Sequence, residues 1–167
     1  MSVTIKKDGY GQVEPNHLSA PRNGQVYAQL PANSSIEVLE NGMFVKYDYE
    51  NGECNFTGDG EWMLVFNEEK LYDERHQMHK DYAQLKADAY DGVIVPRVFR
   101  VQPGDIYTTN MVKDADYNKG DDLKVGTTGV LEAGTATEAP GFKVVAETVM
   151  PDGQPAVKIQ VVPVATA

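Results

Sequence analysis

Apolar and polar residues alternate in short runs along most of the chain, and sustained helical periodicity occurs in one stretch only. The run IEVLENGMFVKYDYENGE, from Ile36, places Ile36 and Val38 before Asn41-Gly42 and Phe44 or Val45 and Tyr47 or Tyr49 after it. Alternation on both sides of Asn-Gly is the strongest short-range hairpin signal, because the two-residue turn needs positive φ. A second Asn-Gly at 51–52 and the run GDGEWMLVF at 58–66 continue the rhythm of strand and turn over a hairpin region at 36–67. After Asp91-Gly92 come VIVPRVFRV, the turn QPGD, IYTTNMV, LKVGTTGVLEAG, FKVVAETVM, the turn PDGQ and AVKIQVV. Short strands at this close spacing predict a small β-barrel or sandwich over 91–167, with the last two strands forming a hairpin. Pro96 has no amide hydrogen, so its run is expected at an edge, a bulge or a short loop. DADYNKGDD at 114–122 reads as a polar loop.

Two segments fall outside that rhythm. Residues 1–35 are rich in Gly, Pro, Asn and Ser, with isolated apolar residues such as Val26, Tyr27 and Leu30. This composition predicts an extended arm that needs a surface to lie on, so its order is expected to depend on a partner. Over 68–90, Leu71, Met78, Tyr82, Leu85 and Ala89 fall near one helical face, with Tyr72, His76, His79, Ala83 and Tyr90 beside them. This spacing predicts a helical excursion between strand regions. The expected fold is therefore mainly β, with an extended N-terminal arm, short hairpins, one helical excursion and a C-terminal barrel or sandwich.

Charge and cysteine content narrow the function classes. Across 167 residues, 25 acids against 15 bases give a formal charge of −10. That balance opposes attraction to nucleic acid or an anionic membrane, and no basic cluster offsets it. One cysteine, Cys54, leaves no internal disulfide and no thiolate cluster. The opening MSVTIKKDGYGQVE lacks the apolar run of a signal peptide, and no stretch reaches spanning length, so a soluble protein is expected.

The densest reactive stretch is YDERHQMHKDY at 72–82. On a helix, His76 and His79 could meet one ion with Asp73 nearby, yet the His-Glu-x-x-His spacing of a metal-dependent hydrolase is absent. Alternating acids and bases in this stretch favour a polar contact segment, and no metal or other cofactor is assigned. His17, between Asn16 and Leu18, suits docking of the arm better than proton transfer. VGTTGV at 125–130 lacks the Lys-Ser or Lys-Thr end of a phosphate-binding loop, and Cys54 has no histidine near it in sequence. No catalytic residue is assigned. Trp62 with Tyr47 or Tyr49 would provide the stacking platform of a carbohydrate-binding module. Nine tyrosines, several in polar contexts such as KYDYE, suit surfaces that are partly buried and partly wet.

A polar arm before short hairpins, an excursion, and a β-rich end carrying VFRVQPGDIYTTNMV, GDDLKVGTTGVLEAG and FKVVAETVMPDGQPAVKIQVV resembles the capsid decoration, or cement, proteins of tailed bacteriophages. That resemblance implies a non-enzymatic virion protein, made in the host cytoplasm, that lies on the outer capsid surface. It would stabilise contacts between major capsid protein subunits, with self-association as a further possibility. On this reading His17, Val26, Tyr27 and Leu30 contact the partner from the arm, and Tyr72, His76, Met78, His79, Tyr82 and Leu85 from the excursion. A head-fibre, tail or baseplate component would share the same style of sequence.

Overall fold

The computed structural model describes residues 2–19, 26, 27, 29–67 and 83–164. The chain is mainly β, and its strands form two large sheets and two small ones, all paired antiparallel within each sheet. The larger sheet has the order β13 (Leu131–Ala133), β12 (Asp122–Val125), β14 (Gly141–Val149), β15 (Pro155–Val162), β10 (Ile106–Thr109) and β2 (Val13–His17). The second runs β3 (Val26–Tyr27), β9 (Val98–Phe99), β7 (Trp62–Val65), β5 (Phe44–Asp48) and β6 (Glu53–Asn55). One small sheet pairs β1 (Ser2–Ile5) with β11 (Ala115–Asn118), and the other pairs β4 (Val38–Glu40) with β8 (Ala83–Leu85).

Period-2 alternation explains how the five-stranded sheet is buried on both faces. Phe44, Trp62, Leu64 and Phe99 enter one core together with Tyr107, Leu123, Phe142, Val144 and Ile159 of the six-stranded sheet. The next residues along the same strands, Val45, Tyr47, Met63, Val65 and Val98, enter a second core with Ile36, Leu39, Met43, Ile94 and Met111. Trp62 to Val65 is thus a continuous apolar run with no wet face, as expected of a strand covered on both sides. The two large sheets share the first core as a sandwich, and no closed barrel forms among the described residues.

The PDGQ turn closes the β14–β15 hairpin. Gly153 has φ +89°, its amide donates to the Met150 carbonyl at 2.8 Å, and the Met150 amide donates to the Gln154 carbonyl at 2.8 Å. VGTTGV likewise joins β12 to β13: the Gly126 amide donates to the Val130 carbonyl, and the Gly129 amide to the Gly126 carbonyl. Gly129 is required there, since its φ is +76° and a Cβ would stand 2.2 Å from the Phe44 carbonyl oxygen.

Four expectations are corrected. The stretch 1–35 is not a free arm among its described residues, because β1 pairs with β11, β2 with β10 and β3 with β9. Edge positions without their own neighbours in sequence were enough, since β strands recruit partners from distant chain. The Asn41-Gly42 turn does not join its flanking strands to each other, as β4 pairs with β8 while β5 pairs with β6 and β7. Asn41 is buried and its side-chain amide exchanges hydrogen bonds with the backbone of Asn67, which redirects the chain. Part of the supposed polar loop, Ala115–Asn118, is strand β11, anchored by the buried Tyr117 ring. Finally, the described end of the helical excursion is strand β8 followed by two short 3-10 turns. Its Ala83 to Leu85 backbone answers the unpaired edge of β4, and that tertiary pairing outweighs local helical spacing. Residues 68–82 lie outside the described residues.

Candidate interaction surface

Two extended pieces of chain, β8 and residues 93–95, flank an open groove of about 320 Å³ over the second core. Their sequences explain why. Val38, Leu39 and Glu40 pair with Leu85, Gln84 and Ala83, and this leaves one edge of β8 without a strand partner among the described residues. After the 3-10 turns, Asp91 (φ +51°) and Gly92 (φ +69°) are successive left-handed residues that reverse the chain. A left-handed aspartate is uncommon but tolerated, because its short polar side chain can serve the local backbone. Ile94 then points inward and is buried, and its carbonyl accepts from the Ala32 amide at 2.8 Å. Alternation sends Val93 and Val95 outward and buries Ile94 and Pro96.

Tyr90 is 89% exposed, Val93 44% and Val95 42%, so among the described residues half of the large exposed apolar ones gather within six positions. Such a concentration rimmed by polar groups marks a contact surface more readily than scattered apolar exposure does. Asp88 lines the groove and is exposed, Asp91 in the following turn is exposed too, and the nearby Lys86 ammonium donates to the Ser34 carbonyl and the Glu37 carboxylate. Gln84 bridges the groove by donating from Nε2 to the Val95 carbonyl at 3.3 Å. Its other amide atom, Oε1, is buried with no donor.

The other chemically dense place binds itself. The Trp62 indole donates to Glu138 Oε1 at 2.9 Å, Lys46 donates to Glu138 Oε2 at 2.9 Å, and the Lys46 ammonium stands 4.9 Å from the Trp62 ring centroid. Partial burial works against ionisation of Glu138, but the hydrogen bonds from Lys46 and Trp62 outweigh it and hold its carboxyl below the ordinary 4.5. An open cleft of about 340 Å³ lies beside this group, rimmed by Arg100 paired with Glu61 at 3.2 Å. Trp62 and Tyr47 are buried, so the stacking platform expected for a sugar is not formed; Tyr49 alone is exposed, edge-on to Tyr47. Cys54 is buried and desolvation pushes its thiol up to about 12, which removes it as a nucleophile near neutral pH.

The expected contact residues are dispersed. His17 is exposed on the outer strand of the six-stranded sheet, whereas Val26 and Tyr27 form the outer strand of the five-stranded one. Leu30 is half-buried against the second core of its own chain, and its carbonyl accepts from the Cys54 thiol at 3.8 Å. Leu85 lines the groove. Tyr72, His76, Met78, His79 and Tyr82 lie outside the described residues. Among the described residues, no group of three or more His, Cys, Asp or Glu side chains is placed to hold a metal, and no helix is long and apolar enough to cross a membrane. Sequence reasoning missed Val93, Val95 and the outward Tyr90; the available signal was three consecutive apolar residues, Val93 to Val95, because an extended stretch must turn at least one of them outward.

Comparison with known protein families, curated proteins and solved structures finds no match to the chain.

Proposed function

We propose that the protein is a non-enzymatic structural protein that docks on the outer surface of a bacteriophage capsid and stabilises contacts between major capsid protein subunits. The observation that supports this reading is an exposed groove that carries the apolar side chains of Leu85, Tyr90, Val93 and Val95, mounted on a two-sheet body with a continuous shared core. A body of this kind transmits force between contacts because close-packed interiors deform little. A cement protein needs that stiffness, together with a desolvated contact that repays the freedom lost on docking. The finer assignment to a capsid rests on the resemblance of the sequence to decoration proteins.

The test is co-sedimentation of the purified protein with mature and immature shells of its parent particle, counting copies bound per capsid protein. Saturation at a simple ratio supports the reading, and failure to bind either shell overturns it. Truncation of residues 1–35 is a poor variant for this purpose, because it deletes β1, β2 and β3 from three sheets.

A further inference from the structure

We infer that the groove between β8 and residues 93–95 receives an extended, basic-and-apolar segment of the partner protein as an added strand. This deepens the docking role proposed above and takes that role as its premise. Three observations select the occupant. The groove is walled by extended backbone on both sides, Ala83 to Leu85 and Val93 to Val95, which matches the shape of a strand. The buried Gln84 Oε1 has no donor, and a backbone N–H entering the groove would supply one. The exposed Asp88 lines the groove, and exposed Asp91 follows it in the turn, while the neighbouring Lys86 is engaged by Glu37 and Ser34, so this end of the groove favours Lys or Arg on the incoming segment. Tyr90, Val93 and Val95 offer apolar contact to alternate side chains of such a strand.

The experiment is an NMR titration of the full chain with an acetylated Lys-Val-Thr-Val-Lys-Val peptide, with Glu-Val-Thr-Val-Glu-Val as the charge-reversed probe. Saturable shifts at residues 83–85, 93–95 and the Gln84 side-chain amide are expected with the basic peptide. Binding of the acidic peptide should be about tenfold weaker or absent. The double variant Val93→Ser with Val95→Ser removes two exposed apolar contacts without changing the charge of the rim; it should lose these shifts while its other resonances stay in place. The inference is overturned by an absence of shifts or by equal binding of the two peptides. It is also overturned if the shifts grow with protein concentration alone, which would identify a second copy as the occupant. Binding seen only after residues 68–82 are replaced with a Gly-Ser linker would identify the chain's own segment and overturn it as well. The double variant also separates the two readings on shells. Equal shell binding by variant and parent sinks the groove and leaves the capsid role, whereas peptide binding without shell binding does the reverse.

Discussion

The two faces of the five-stranded sheet are built from different materials. Toward the six-stranded sheet, the core is aromatic: Phe44, Trp62, Phe66, Phe99, Tyr107, Tyr117 and Phe142, with Phe44 and Phe142 edge-to-face at 5.3 Å. Toward β4 and β8, the core contains Met43, Met63 and Met111 with, among the described residues, a single buried aromatic ring, Tyr47. Aromatic rings bury much area and fix geometry, whereas methionine fills irregular space and repacks readily. The cover differs too, since a six-stranded sheet closes the first core and two short strands with 3-10 turns close the second. Rigidity is therefore concentrated on one side of the sheet, and the exposed groove lies over the side that can adapt.

The largest expected effect comes from removing an aromatic ring. Phe142→Ala should cost about 3–5 kcal/mol, while Met43→Ala should fall near the lower end of about 2–5 kcal/mol. Both are read from chemical denaturation, and equal losses would break the distinction between the cores. Next, Cys54 reports on the second core. Its modification by a thiol reagent below the unfolding transition should run about tenfold or more faster than global unfolding predicts, if that core opens first. Rates matching global unfolding would mean that both cores open as one unit. Because burial raises the native thiol from its ordinary 9.0 to about 12, folding favours the protonated form. That contribution is complete below pH 9 and is lost as pH rises from 9 toward 12.

A smaller effect separates two tyrosines of the first core. The Tyr117 hydroxyl donates to the Lys113 carbonyl at 2.6 Å, but the Tyr107 hydroxyl is buried with no partner. Tyr117→Phe should cost about 1 kcal/mol and Tyr107→Phe should be neutral or stabilising, as measured by thermal melts. A clear loss at Tyr107 would reveal a hydrogen bond to a buried water. The smallest effect is expected at Glu138→Gln. The native carboxyl lies below its ordinary 4.5, so its contribution is present above pH 4.5 and disappears as pH falls through the lower native value. Its side chain is 58% exposed, and solvent screening limits the difference to less than about 1 kcal/mol at pH 7. Parent and variant should converge in melting temperature under acid.

What the sequence made legible was local. The β14–β15 hairpin and the β12–β13 turn were readable because Asp152-Gly153 and the glycines of VGTTGV impose their geometry within a few residues. The mainly β class followed from alternation. Partner choice was not readable, since nothing near Ser2 in sequence announces Asn118, and nothing beside Asn41 announces its exchange with Asn67. Leu85 was picked out on a helical spacing, but it reaches the surface because β8 answers the edge of β4. His17 and Leu30 were picked out as parts of an arm, yet they sit in separate parts of the body.

The long reach of the first strands also constrains synthesis. Ser2 lies opposite Asn118 and Val13 opposite Thr109, so the residues of β1 and β2 are paired with residues made about a hundred positions later. At about 5–20 residues per second, that interval lasts roughly 5–20 s, during which β1 and β2 have no strand to join. Such distant pairing also slows the search for the native topology. The proline- and glycine-interrupted sequence around these strands then acquires a second use. Pro15 within β2, and Gly9 and Gly11 before it, interrupt hydrogen-bonding and extended structure along the nascent segment, limiting its ability to zip onto a neighbouring chain while it waits.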